Sequence, residues 1–162
     1  MKIVANSSVL IALSSIGKLN LLRDKYKNII IPKAVWSEVV ETSWGEPGSD
    51  EVRKANWIEV LEIKDNNLFM AINESLDYGE AEAIVLAIEL KADMILLDEK
   101  DARIIADRFN IVPLGTIGIL IWAKKANKIE SLKKELDKLK NEGNFRISPK
   151  VYHRALKAVD ER

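Results

Sequence analysis

The sequence predicts an α/β domain of three layers, in which a mainly parallel sheet is covered by helices on both faces. Apolar runs of strand length, such as "KIVA" (2–5) and "MILLD" (94–98), alternate with segments of helical periodicity. The 162 residues are 48% hydrophobic, so one domain can bury a substantial core. No repeat or linker interrupts the alternation. We therefore predict a single domain over 1–162, with 129–162 as a C-terminal helical extension.

Strands are expected where short apolar runs rich in β-branched residues are bounded by polar or turn-forming residues. Five segments meet this description: 2–5, 28–31, 57–63, 94–98 and 110–114. Because helices separate these segments, the strands are expected to run parallel.

Helices are expected where apolar residues recur every three or four positions. The predicted helical segments are 7–22, 33–41, a short helix after the Gly- and Pro-containing loop 42–50, 67–91, 99–109 and most of the chain after 114. Serines can cap the first of these helices, and Pro32 suits the first position of the second. Tyr78-Gly79 is the expected break within 67–91.

The composition narrows the functional classes. The chain has no cysteine, which excludes disulfides and thiolate metal sites. Its longest apolar runs, such as 117–123, are far shorter than the roughly 20 residues of a membrane span, and the N-terminus lacks a signal-peptide pattern. We therefore expect no membrane association and a cytoplasmic location.

Charge is unevenly distributed along a chain whose net charge is zero. From Leu120 to Ala158 there are 11 Lys or Arg residues against 4 Asp or Glu residues, so the rest of the chain is acidic by the same margin. This asymmetry suits an anion-binding surface beside a cation-binding site. The alternative is that the lysines only cover the solvated faces of amphipathic helices.

Polar residues follow two of the predicted strands. Asn6 comes after the first strand and Asp98 after the fourth. In open parallel sheets, ligands bind outside the carboxyl ends of the strands, so the two side chains are expected to share one crevice. The alternative is that each residue only caps the helix that follows it.

Two glutamates are predicted to lie on apolar helix faces. Helical phase places Glu38 with Ala34 and Val35 on the inward stripe. It also directs Glu80 inward, whereas Glu82 is expected to face solvent. A carboxylate directed into the interior costs several kcal/mol, by a rough estimate, unless it is paired or bound to metal. A structural ion pair or a helix-dipole role is the alternative for each glutamate.

These residues together predict a site for a hard cation. Asn6, Glu38, Glu80 and Asp98, with Asp101 one helical turn beyond Asp98, offer only oxygen ligands, which suits Mg²⁺ or Mn²⁺. Lys100 and Arg103 flank this set.

The remaining candidate chemistries lack the residues they need. The single histidine, His153, lies in the C-terminal helix and is expected to be structural or exposed, which leaves zinc and Ser-His chemistry unsupported. No nucleotide-binding glycine motif is present. A receiver-like phosphorylation switch would need paired acids after the first strand, where there are none.

The order of "KIVANSSVLIAL" (2–13), Glu38, "YGEAEAIVLA" (78–87) and "MILLDEKDARIIA" (94–106) resembles the PIN domain, a small metal-dependent nuclease fold. The segments 113–129 and 141–156 are similar to an uncharacterised prokaryotic, VapC-like subgroup of that family.

The resemblance implies that Glu38, Glu80, Asp98 and Asp101 bind one or two Mg²⁺ or Mn²⁺ ions and serve RNA cleavage. It places Asn6 where the family has its first acid, as a neutral ligand or substrate-orienting group. Ser7 or Ser8 would supply a hydroxyl that orders the site, and Lys100 and Arg103 would flank the substrate.

We therefore expect a metal-dependent ribonuclease whose basic C-terminal third contacts the RNA backbone. The resemblance also implies a toxin with a cognate antitoxin as a possible role. The alternative is a catalytically degenerate PIN domain that binds RNA or a protein, which the missing acid at Asn6 favours. The resemblance, one apolar stripe and Trp122 beside exposed-looking lysines predict a homodimer, and ordinary core packing is the alternative for each of these residues. That stripe consists of Ile129, Leu132, Leu136 and Leu139.

Overall fold

The computed structural model describes residues 1–162 and confirms the three-layer α/β class. Its strands are β1 (Ile3–Ala5), β2 (Ile29–Pro32), β3 (Ile58–Leu61), β4 (Met94–Leu96) and β5 (Val112–Leu114). They form one sheet in the order β3-β2-β1-β4-β5, and every pairing is parallel. Four strands lie within the predicted segments, and β2 extends one residue beyond its segment, to Pro32.

Ten α-helices and one π-helical segment surround the sheet. The helices before β4 are α1 (Ser7–Ser15), α2 (Asn20–Tyr26), α3 (Lys33–Trp36), the π-helical segment Ser37–Thr42, α4 (Ser49–Lys54), α5 (Asn66–Asn73) and α6 (Tyr78–Leu90). Those after β4 are α7 (Lys100–Arg108), α8 (Thr116–Lys125), α9 (Leu132–Asn141) and α10 (Pro149–Ala158).

Three helix boundaries differ from the predictions for local reasons. The helix expected over 7–22 is divided into α1 and α2 near Gly17. The φ of Gly17 is 70°, which is incompatible with a continuing right-handed helix. Pro32 ends β2 and precedes α3, so it is not the first helical residue. Tyr78-Gly79 is not a break but the start of α6, because the Asp77 side chain caps that helix by accepting a hydrogen bond from Glu80 N at 2.8 Å.

The sheet separates two hydrophobic layers because successive residues of a strand point to opposite faces. Ile3 and Ala5 of β1 belong to a cluster of 27 buried residues that includes residues of α1, α8 and α9. Val4, between them, belongs to a cluster of 15 buried residues on the other face, which draws on α6 and α7.

The C-terminal helices complete the larger of these layers. Leu132, Leu136 and Leu139 are fully buried in it, and Ile129 is 8% exposed. Core packing, the alternative for this stripe, is therefore what the structure shows, and the homodimer stays a prediction. No helix has the length and apolar character needed to cross a membrane. A cytoplasmic location stays a prediction.

Candidate metal centre at the carboxyl edge of the sheet

Asn6 lies at the carboxyl end of the central strand β1. Its backbone N–H donates to Leu96 O of the neighbouring strand β4 at 3.0 Å, which extends the sheet pairing by one residue. Asn6 precedes α1 in the N-cap position, but its side chain makes no capping hydrogen bond, although the residue is only 3% exposed. Helix capping therefore does not explain this buried carboxamide.

Gly79 leaves open a small space that oxygen atoms surround. A Cβ atom at this position would lie 2.9 Å from Glu38 Oε2, 3.7 Å from Asn6 Oδ1 and 3.9 Å from Asp77 Oδ1. These oxygens come from three separate parts of the chain. Because glycine has no side chain, the backbone of α6 approaches them without filling the space between them.

Glu38 is exposed, so the prediction that it lies on the inward stripe is wrong. The cause is the π-helical segment. Hydrogen bonds from i to i+5 widen this turn, so the residues stacked inward on Val35 are Val39 and Val40, at i+4 and i+5. Glu38, at i+3, is rotated out of the core and toward Gly79.

Glu80 is buried as helical phase predicts, with 8% of its surface exposed. Its Oε1 accepts a hydrogen bond from Asp77 N at 3.2 Å, while Asp77 Oδ1 accepts from Glu80 N at 2.8 Å, which forms a capping box at the start of α6. Burial, together with the nearby charges of Asp77 and Glu99, raises the pKa of Glu80 to about 7. The helix-capping alternative therefore applies to Glu80, but it leaves the charge of this carboxylate uncompensated.

Asp98 does not cap α7, whose N-cap residue is Glu99. Instead its Oδ1 accepts from Thr116 N and its Oδ2 from Thr116 Oγ1, both at 2.7 Å, so the first residue of α8 fixes the carboxylate. Burial raises the pKa of Asp98, while the Thr116 hydrogen bonds and the Arg103 charge oppose that rise.

Arg103 also approaches this position. A Cβ atom on Gly115 would lie 2.8 Å from Asp98 Oδ1 and 2.9 Å from Arg103 Nη1. The guanidinium nevertheless forms no ion pair within the chain. Glycine thus makes room for a carboxylate and an available cation beside each other.

The other predicted site residues are less closely connected. Ser7 Oγ is 3.5 Å from Asn6 Oδ1, and the buried Ser8 hydroxyl lowers the pKa of Asp98, although its geometry completes no hydrogen bond. Lys100 and Asp101 are exposed in the first turn of α7. No hydrogen bond joins Asp101 to the other acids, so its role as a fourth ligand stays a prediction. His153 is exposed, as expected.

Glu82 contradicts its predicted solvent exposure. It is 8% exposed, and its Oε1 accepts a hydrogen bond from Ala34 N at 3.0 Å. Helical phase failed here because α6 is covered around most of its circumference: every residue from Gly79 to Ala87 is buried. The carboxylate satisfies a free N–H group at the start of α3.

Sequence reasoning missed two residues that shape the site, Asp77 and Thr116. Asp77 could have been found, because Asp77 and Glu80 have the spacing of a capping box. No local signal linked Thr116 to Asp98, since 18 residues separate them and only the pairing of β4 with β5 brings them together.

We call Asn6, Glu38, Asp77, Glu80 and Asp98 the acidic site. No three acidic or histidine side chains lie close enough together in this structure to hold a metal ion. The donor set nevertheless fits a hard divalent cation, since it consists of carboxylate and carboxamide oxygens and three of them surround the space beside Gly79. The raised pKa values of Glu80 and Asp98 also indicate negative charge that a cation would stabilise.

Comparison with known protein families agrees with the fold. Residues 2–161 match the model of the family DUF3368, described as a PIN domain. No curated protein matches the chain significantly. PIN domains are in general nucleases that act on RNA and use divalent metal ions. Because the match covers almost the whole sequence, the chain belongs to the PIN-domain family.

Proposed function

We propose that this protein is a metal-dependent ribonuclease that hydrolyses phosphodiester bonds of RNA. The observation that carries the proposal is the space beside Gly79, where oxygens of Glu38, Asn6 and Asp77 approach one point at the carboxyl edge of the sheet. Ligands of open parallel sheets bind at this edge. Family membership supplies the reaction class, and the acidic site supplies the donor atoms.

Glu38, Glu80 and Asp98 would hold Mg²⁺ or Mn²⁺ directly or through water, with Asn6 as a neutral oxygen donor. Such an ion lowers the pKa of water and polarises a phosphoryl oxygen. The protein's own contribution is to keep these oxygens in place. Thr116 orients both carboxylate oxygens of Asp98, and the capping box with Asp77 orients Glu80.

The cations of the chain would hold the RNA backbone. Arg103 is close to Asp98 and has no ion-pair partner, so its guanidinium is available for a phosphate beside the acidic site. The basic C-terminal third lies farther away. Lys124 and Lys125 are at the other end of α8 from Thr116, roughly 13 Å along the helix axis. A substrate contacting both regions would therefore span several nucleotides.

Cleavage of a mixed RNA pool tests the proposal. We expect wild-type protein to cut RNA only when Mn²⁺ or Mg²⁺ is added, and Glu80→Gln to abolish cutting. Glutamine can keep the capping contact to Asp77 N but lacks the negative charge, so the variant should fold. Metal-independent cutting, or equal cutting by wild type and variant, would contradict the proposed role of the acidic site.

A second candidate function is RNA or protein binding without cleavage. Asn6 favours it, because a neutral carboxamide at the centre of the site brings one negative charge less than an acid would. Equal inertness of wild type and Glu80→Gln, with RNA retained by both, would support this candidate.

A toxin role with a cognate antitoxin, and a homodimeric state, rest on the family resemblance. Growth arrest on induced expression, relieved by Glu80→Gln, would support the toxin role. Light scattering at micromolar concentration would show whether the 18.3 kDa chain forms a dimer.

A further inference from the structure

A pocket of about 380 Å³ opens beside the acidic site. Lys33, Ser37, Glu38, Thr42, Tyr78 and Glu82 are among its lining residues. Its volume lies within the roughly 300–1,000 Å³ of pockets for small organic groups, so it exceeds the space needed for an ion. Glu38 belongs to both the pocket and the acidic site, which makes the two continuous.

Tyr78 is the aromatic residue of this pocket, and 59% of its surface is exposed. Its ring contacts Phe69 with centroids 4.8 Å apart and planes at 64°. This contact orients the ring without covering it. Tyr78 is also the first residue of α6 and directly precedes Gly79, so its backbone is fixed next to the acidic site. An aromatic face that is both exposed and held in place at the wall of a pocket is suited to stacking against a ligand ring.

The charges of the pocket favour a nucleoside over a phosphate. Glu38 and Glu82 provide two carboxylates against the single ammonium group of Lys33. Carboxylate and hydroxyl oxygens accept hydrogen bonds, which suits the 2′-hydroxyl of ribose and the N–H groups of bases. Lys33 lies 3.3 Å from Glu62 in a pair with side chains 63% and 75% exposed. Because exposed pairs are weak, Lys33 can turn to a phosphate at the rim.

We propose that this pocket binds the nucleotide next to the cleaved phosphate in single-stranded RNA, and that its base stacks on Tyr78. The proposal rests on the proposed ribonuclease function, since it takes the acidic site as the place of cleavage. Single-stranded RNA follows from the chemistry, because only an unpaired base can leave its neighbours to stack on a protein ring. Tyr78 thereby positions the substrate and takes no part in the bond-breaking step.

The test measures RNA binding apart from cleavage. Asp98→Asn, which lies outside the pocket, provides a full-length background in which a fluorescein-labelled 12-nucleotide RNA is expected to stay intact during anisotropy titration. Adding Tyr78→Ala should weaken binding about 5- to 150-fold, the range typical of a lost stacking contact. Tyr78→Phe keeps the ring and should bind within about twofold of the background. Phe109→Ala, at another partly exposed aromatic residue, is the matched control and should also leave binding unchanged.

An RNA of the same length with abasic nucleotides completes the test. The proposal expects Tyr78→Ala to have no effect on this ligand, because the stacking base is absent. Equal loss with both RNAs, no loss with either, or no binding by the background protein would overturn it. Cleavage is scored separately in otherwise wild-type protein. If metal-dependent cutting is unaffected by Tyr78→Ala, the ribonuclease function is supported and the nucleotide-binding role of the pocket is rejected. If RNA binding depends on Tyr78 but no cutting occurs, the pocket's role in RNA binding is supported and the ribonuclease function is rejected.

Discussion

Glu80 and Glu161 are both largely withdrawn from solvent, but their surroundings act on them in opposite directions. Burial acts to raise the pKa of Glu161, but hydrogen bonds and a nearby positive charge outweigh burial and lower this pKa. The hydrogen bonds come from Lys133 N, Leu132 N and Ser131 Oγ, and the charge belongs to Lys124. Around Glu80, burial and neighbouring acids raise the pKa to about 7. The charge of the first carboxylate is therefore stabilised within the fold, whereas the charge of the second is destabilised by its surroundings.

The two regions thus treat a carboxylate differently, and we propose that only the acidic site has a functional role. The carboxylate of Glu161 satisfies the free N–H groups at the start of α9, which lie 2.7 Å and 3.0 Å away on Leu132 and Lys133, and so fixes the chain's end to its core. The acidic site has no comparable set of donors for Glu38 and Glu80. This contrast yields four tests, in which matched changes in the two regions should have different consequences.

The largest difference is expected when one hydroxyl donor is removed from each region. Thr116→Val removes the donor to Asp98 Oδ2 and should lower metal-dependent cleavage by about 10- to 100-fold, as loss of a partner that orients a metal ligand typically does. Ser131→Ala removes the donor to Glu161 and should leave cleavage unchanged while costing about 1 kcal/mol of stability. Steady-state cleavage rates and urea unfolding measure the two effects. Equal cleavage rates for Thr116→Val and Ser131→Ala would show that the two regions do not differ in their effect on activity.

Deletion of the structural carboxylate should give the largest loss of stability. Glu161→Ala leaves two N–H groups of α9 without their acceptor and Lys124 without its partner at 3.6 Å. We expect unfolding free energy to fall by about 2–3 kcal/mol, because hydrogen bonds to charged groups are the strong ones. Urea unfolding checks this value. Glu80→Gln in metal-free buffer at pH 8 is the comparison and should lose no stability.

Adding charge to the acidic site should destabilise it until a cation binds. Asn6→Asp places another carboxylate near Glu38 and Asp77 and should lower metal-free stability by about 1–2 kcal/mol through like-charge repulsion. Because a ligand stabilises the folded state by RT ln(1 + [L]/Kd), the variant's Tm should rise more steeply with Mn²⁺ than that of wild type. Identical Mn²⁺ titrations would instead indicate that residue 6 acts only at the start of α1.

The smallest effect is a pH dependence that only one region should show. The pKa of Glu80 is raised from about 4.5 to about 7 on folding, so the folded state binds more protons than the unfolded state between these values. Metal-free stability should therefore fall as pH rises through this range. After allowance for solvent screening, we expect wild type to lose about 1 kcal/mol more than Glu80→Gln between pH 5 and pH 8.

Glu161 should show the opposite dependence in a lower range. Its folded pKa is lowered, so its stabilisation is present above the unfolded value and is lost as pH falls through the folded value. Glu161→Gln should therefore keep the wild-type slope between pH 5 and pH 8. Urea unfolding at several pH values measures how stability depends on pH in each variant. If Glu80→Gln showed the same pH dependence as wild type, the conclusion that the charge of Glu80 is uncompensated would be wrong.

The sequence was a good guide where periodicity reports packing and a poor one where distant segments meet. The strands and the three layers follow from apolar runs that alternate with helical patterns. The burial of Glu80 agrees with its helical phase, but phase does not explain it, since α6 is buried on most sides. The exposure of Glu38 could not be predicted from an ideal helix, because a π-helical turn changes the phase. Neither could the burial of Glu82, which depends on the approach of α3 to α6.

The π-helical segment Ser37–Thr42 makes the position of Glu38 depend on the number of residues as well as on their identity. A π turn is equivalent to one residue inserted into an α-helix. Deleting a single residue here would restore α-helical periodicity, so the position now held by Glu38 would join the stripe that packs on the core with Val35. Insertions and deletions in this short segment are thus expected to be far less tolerated than substitutions at its exposed positions, because a change in the number of residues changes the direction in which the Glu38 side chain points.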